Sequence, residues 1–234
     1  MNTRLVRKLH RWIGLIFSLS VLMASGSGVI HNVMTRTQAP PPSARPSGGG
    51  MEVNAITVSV AEAVAKLDTE NPEVQAVNLR GIGGRPWYQI YTKSSPVPHY
   101  VSAVDGRLDP SQDEAYAAEI AKNFLGGKEI SKTDFLTTFN SEYLNIFRIL
   151  PVYRFDAGDE LDTRVYVSTT TGSVTRHTDR KRQFEARIFT NFHKLGFIPN
   201  KDLRDLVLTV LTTGTFLVAC LGIALFFATR PKKR

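Results

Sequence analysis

The sequence predicts an α+β domain, built of two helix-plus-antiparallel-sheet units, flanked by two transmembrane α-helices. Three observations predict it: a long uncharged apolar run at each end, a charge excess confined to the tails beside those runs, and a helix-then-strands pattern that occurs twice between them. The chain has 234 residues, with 29 Lys and Arg against 21 Asp and Glu, for a formal charge of +8. Arg4, Arg7, Lys8 and Arg11 accompany the first run and Arg230, Lys232, Lys233 and Arg234 follow the second, with no acid in either tail. The tails therefore carry the whole excess, and residues 35–205 are neutral. A basic chain suggests nucleic acid only when its cations cluster on a folded surface. Here they sit beside apolar runs, so no nucleic-acid partner is expected and the lipid bilayer is.

The first run, residues 12–34, has 23 residues without a charge, and the second, residues 206–229, has 24. As helices they are about 34 to 36 Å long, enough to cross a hydrocarbon core of about 30 Å. Short juxtamembrane basic segments stay in the cytoplasm. Residues 1–11 and 230–234 are then cytoplasmic tails, and everything between the helices lies on the far side. The first run also resembles a signal peptide, with its basic start and the small residues Ala24-Ser25-Gly26-Ser27-Gly28. It has no A-x-A-like cleavage site, and Val29 and Ile30 resume the apolar pattern, so an uncleaved helix is expected. The single Cys, Cys220, falls in the second run, which leaves the intervening domain without a disulfide.

Residues 35–52 are rich in Pro and then Gly and read as a tether. The first unit, residues 53–110, opens on the capping box Ser59-Val60-Ala61-Glu62. Val60, Val64 and Leu67 then mark one helical face up to Pro72. Strands are expected at 74–79, 87–92 and 99–104, separated by the Gly83-Gly84 turn and by Pro96 and Pro98. The second unit, residues 111–178, opens on a second capping box, Ser111-Gln112-Asp113-Glu114, with a helix to about Leu125 stopped by Gly126-Gly127. Strands are expected at 135–139, 152–155, 164–168 and 173–177. The order matches that of the first unit, with extra length around residues 142–150, and suggests a degenerate duplication. Residues 179–205 mix Arg180, Lys181, Arg182 and Arg187 with Phe184, Phe189 and Phe192, and read as an interfacial segment on lipid head groups.

Each unit resembles a PepSY domain, a helix plus curled sheet whose last strand ends in a turn such as Val104-Asp105-Gly106-Arg107-Leu108 or Thr170-Thr171-Gly172-Ser173-Val174. The opening Lys8-Leu9-His10-Arg11-Trp12-Ile13-Gly14-Leu15 and the later Phe192-His193-Lys194-Leu195-Gly196 are similar to signatures of PepSY-associated transmembrane proteins. The resemblance covers nearly the whole chain, but larger family members have four membrane helices where this chain has two. It implies a bacterial inner-membrane protein with its main domain in the periplasm. Two functions follow from it. One is a sensing or inhibitory module; the other is a haem-binding helix pair linked to ferric-siderophore reduction.

No G-x-S-x-G, H-E-x-x-H or C-x-x-C motif appears, so no hydrolase is expected and no catalytic residue is assigned. Asp156, Asp159, Glu160 and Asp162 read as a solvated acidic loop. The candidate cofactor ligands are histidines. His31 ends the first helix on the exported side, and His193 precedes the second helix at a matching depth. A pair of neutral imidazoles on two helices is what a haem b iron needs. His10, about 31 Å from His31 along the helix, would require a partner ring from a second copy, hence a homodimer or larger complex. His99 and His177 belong to the strands of the domain. Two readings stay open: a haem-binding component supporting transmembrane electron transfer, and a cofactor-free adaptor or regulator that binds a peptide, protease or membrane complex.

Overall fold

The computed structural model describes residues 3–38, 47–67 and 72–229. In chain order the elements are α1 (Thr3–Thr37), α2 (Val60–Val64), β1 (Val74–Ile82), β2 (Arg85–Thr92), β3 (His99–Ser102), α3 (Gln112–Phe124), β4 (Ser131–Leu136), β5 (Val152–Asp156), β6 (Arg164–Ser168), β7 (Ser173–Thr178), α4 (Arg180–Ile188) and α5 (Lys201–Ala228). A π-helical turn, Phe189–His193, follows α4 directly. The chain divides into two compact units, Met1–Ala39 with Lys181–Arg234, and Pro40–Arg180.

In the first unit α1 and α5 pair antiparallel. Gly14 meets Val218, the Phe17 ring nests on Gly214, and Ser20 Oγ lies 3.3 Å from Thr215 Oγ1. Both helices are long and apolar enough to cross a membrane, and their apolar side chains point outward, with Leu15, Leu19 and Leu22 each 65 to 69% exposed. Outward-facing Leu on a long helix is the pattern of a segment solvated by hydrocarbon. Small residues make this contact: Gly14, Gly214, Thr215 and Gly222 face the other helix, whereas a Cβ built at Gly26 or Gly28 would meet nothing within 4 Å. α1 also outruns the uncharged run, because Thr3 to Arg11 continue its ladder and Thr35 to Thr37 extend it into the expected tether. The proline part of that tether, residues 39–46, lies outside the described residues.

The second unit holds two antiparallel sheets, in the orders β1-β2-β3 and β4-β5-β6-β7. Gly83 and Gly84 join β1 to β2 with φ of +58° and +76°, the left-handed pair that a two-residue hairpin turn requires. At α2 the expected capping box is made: Ser59 accepts from the Glu62 N–H while Glu62 accepts from the Ser59 N–H at 2.8 Å. The second expected box is not made. Ser111 instead gives its hydroxyl and its N–H to Asp109 at 2.6 and 3.0 Å, because beyond Pro110 its backbone is already helical, at φ −79° and ψ −9°. β4 runs three to four residues earlier than the 135–139 pattern suggests. Its exposed edge carries Lys132 and Asp134, which hide the alternation, while Phe139 leaves the sheet to stack on Tyr143.

The two halves share a core across α3. α3 places Tyr116, Ala117, Ile120 and Ala121 against Ile82, Trp87 and Tyr100 of the first sheet and against Tyr153, Phe155, Val165 and Val167 of the second. The remaining face of the first sheet is covered by Ala63 and Leu67 with Ile56 and Val58. On the second sheet the added loop takes that place, with Tyr143, Phe147 and Ile149 over Val152 and Tyr166. In the acidic loop, Asp159 accepts from Thr163 and Lys128, Asp156 is held by Arg154, and Asp162 is held by Arg180. Those carboxylates are thus spent on ordering the turn.

Candidate functional site

The three candidate histidines all belong to the helical unit. His10 lies on the face of α1 turned to α5, where the absence of a side chain at Gly222 makes room for its ring. A Cβ there would stand 3.2 Å from His10 Cε1. Its Nδ1 is buried and has no hydrogen-bond partner among the described residues.

His31 and His193 are brought close, by α1 on one side and the π-helical turn on the other. His31 Nδ1 lies 2.5 Å from Glu185 Oε1, and Glu185 is only 9% exposed. His193 Nδ1 lies 3.4 Å from the Ala24 carbonyl oxygen, to which it donates when protonated, and 3.3 Å from Ser27 Oγ. Phe189 packs against both imidazoles, with ring centroids 4.9 Å from His31 and 4.5 Å from His193. Its ring is within 12° of parallel to His193 and tilted by 37° to His31, so Phe189 stacks on one imidazole and leans on the other. The extra residue of a π turn is a costly local feature that often marks functional positions.

A haem iron shared by His31 and His193 needs their ligating nitrogens about 4 Å apart on opposite sides of the metal, given a metal–imidazole bond of about 2 Å. In this packing both rings touch Phe189 and each Nδ1 faces a protein group, which leaves Nε2 as the nitrogen either ring would offer a metal. His10 is packed as well, with Gly222 of α5 close to its Cε1 edge. Beside His193, between α1 and α5, opens a cleft of about 420 Å³. Its walls, among them Ile16, Leu19, Leu208 and Leu211, are mainly aliphatic and suit an apolar chain.

Two residues that contact these histidines, Glu185 and Phe189, were not singled out from the sequence as site residues. Glu185 is the only acid between Arg180 and Asn200, and Glu185, Phe189 and His193 recur every four residues. That spacing puts them on one face of a helical segment and was the available signal. His99 and His177 are placed in the domain, His99 Nε2 3.5 Å from Thr92 Oγ1 and His177 tilted over Phe124 at 5.1 Å. Among the described residues no group of three or more His, Cys, Asp or Glu side chains is arranged to hold a metal ion.

Comparisons of the chain with protein-family models, with curated proteins and with solved structures return no match. The class is therefore defined by architecture: an α+β protein with two antiparallel sheets and two long apolar helices, one near each end, compatible with a membrane protein.

Proposed function

We propose that this chain is a membrane-anchored adaptor or regulator that works without a cofactor. In this reading α1 and α5 cross a bacterial inner membrane with both basic tails in the cytoplasm, and the PepSY-like domain binds a peptide, protease or membrane-complex partner in the periplasm. The observation that carries it is Phe189, whose ring centroid lies 4.9 Å from His31 and 4.5 Å from His193, so that both members of the strongest ligand pair are taken up in aromatic contacts. The absorption spectrum of protein purified after expression with ample haem tests this. No Soret band is expected, and a stoichiometric one would overturn the reading. Orientation is tested by reporters active only in the periplasm: silent after Arg234, active when inserted at Gly49.

One observation favours a second reading, a haem b component of transmembrane electron transfer or ferric-siderophore reduction. A metal-bound imidazole usually gives its other nitrogen to a carboxylate or carbonyl, which fixes the ring and leaves the second nitrogen for the metal. His31 on Glu185 and His193 at Ala24 have that arrangement. With each Nδ1 so engaged, Nε2 of His31 and of His193 is the nitrogen left for the iron. A low-spin spectrum lost in His31→Ala and His193→Ala would establish this reading in place of the first.

A further inference from the structure

Residues 47–50, Ser-Gly-Gly-Gly, have the composition of slack linker, yet they lie in a narrow notch across the α+β domain. The Ser47 N–H donates to the Gly172 carbonyl at 2.8 Å. Gly48 lies flat on the buried Tyr116 ring, where a Cβ would come within 2.7 Å of Cε2. Gly49 is beside the Glu119 carboxylate, whose other oxygen accepts from the Gly83 N–H at 2.7 Å. The floor is Gly81 of β1. A Cβ there would stand 2.5 Å from the Gly49 oxygen and 2.6 Å from the Gly50 oxygen. The two backbones thus approach as closely as glycine alone permits.

The hold on this segment is weak. Among the described residues one hydrogen bond ties residues 47–50 to the domain, and three successive glycines bring no side chain to bury. Ordering a residue's backbone costs conformational entropy, and glycine loses the most freedom of any residue. The segment stays because the neighbouring chain is attached, which keeps its local concentration high, and not because its contacts are strong.

We propose that the notch between Gly81, Tyr116 and Gly172 is a binding site for an extended peptide of small residues, and that residues 47–50 are its resident occupant. A partner presenting two successive residues without side chains, and a free N–H for the Gly172 carbonyl, competes for the same place. Recognition is then by backbone and by steric exclusion of side chains, as in other modules that read extended peptides. The inference deepens the adaptor reading by naming the chemistry of the partner.

The test uses the full chain in detergent and a fluorescein-labelled peptide of residues 45–52, with a control peptide carrying Val at the positions of Gly48 and Gly49. Gly48→Val, whose side chain meets the Tyr116 ring, should empty the notch and bind the peptide at least tenfold more tightly than the wild type. Adding Gly81→Val should abolish that binding, because it fills the floor, and the control peptide should not bind. Equal binding by the wild type and Gly48→Val, or equal binding of the control peptide, would overturn the proposal. Should Gly81→Val fail to fold by circular dichroism, hydrogen exchange on the wild type decides. Saturating peptide should speed exchange of the Ser47 amide, and unchanged exchange refutes displacement. A Soret band would remove the adaptor reading and leave the notch intact, whereas absent peptide binding would remove the notch and leave the adaptor.

Discussion

Among the described residues each unit of the molecule buries one carboxylate that the sequence does not advertise, and the two are held in different ways. Asp113, 5% exposed on α3, accepts from Tyr100 at 2.7 Å and from Tyr153 at 2.9 Å, one hydroxyl from each sheet. The Tyr100 oxygen in turn accepts from Gln89 at 2.8 Å, and Gln89 also donates to the Thr169 carbonyl at 2.9 Å. A single carboxylate thus ties both sheets to the helix between them. Glu185, 9% exposed, has one bonded partner among the described residues, His31. A buried charge with several donors belongs to the framework, and its loss is felt throughout a cooperative unit. A buried charge with one partner governs only the contact it makes.

That contrast can be broken or sharpened by experiment. The largest effect is expected for Asp113→Ala, which leaves two buried tyrosine hydroxyls unsatisfied and should cost about 3–5 kcal/mol of domain stability. Chemical denaturation monitored by circular dichroism measures it, and a cost below about 1 kcal/mol would show that the network contributes little. Next is His31→Ala, which strips Glu185 of its partner. Exchange of amides in α4 and the π-helical turn should accelerate by about tenfold or more, since a factor of ten corresponds to about 1.4 kcal/mol, while the melting of the α+β domain stays unchanged. A fall in the domain's melting temperature would contradict the local role of Glu185.

Tyr153→Phe removes one of the two donors to Asp113 and should cost about 1.5–3 kcal/mol, less than losing the carboxylate. If Tyr153→Phe matched Asp113→Ala, the bond from Tyr100 would be of no consequence. The smallest effect at ordinary pH, and the one that grows, is alkaline. Burial, and then the negative charge of Asp113, push the Tyr100 and Tyr153 hydroxyls above the usual tyrosine value. Their folded-state values are raised, so their contribution is complete below the unfolded value of about 10 and is lost as pH rises beyond it. The domain's melting temperature should therefore fall above about pH 10, with a shallower fall in Tyr153→Phe. Equal slopes in the two proteins would refute the assignment.

Much of this architecture is legible in the chain because its signals are local. The Gly83-Gly84 turn needs two residues tolerant of positive φ and has them. The Ser59–Glu62 box satisfies its own amides within four residues. The second box, with the same letters, is not made because Pro110 alters the backbone that enters it and Asp109 offers a nearer acceptor. Likewise β4 is masked, since an exposed edge strand has no buried face to impose alternation along its first residues. At the candidate site the sequence names His31 and His193 but not the ring that touches both. Phe189 meets His31 only once α1 and the π-helical turn lie side by side.

By itself the sequence determined the two apolar spans, the basic tails, the α+β class and the hairpin turns, because hydropathy, charge and turn chemistry act over a few neighbouring residues. Tertiary structure alone decided that both sheets share the core of α3, that Asp113 joins them, that Gly26 and Gly28 stay open while Gly214 and Gly222 take the helix contact, and that residues 47–50 fill a notch. Each of those outcomes depends on which surfaces meet across long stretches of chain. A glycine's role is set by the side chain opposite it, and nothing in the glycine's own neighbourhood records what that will be.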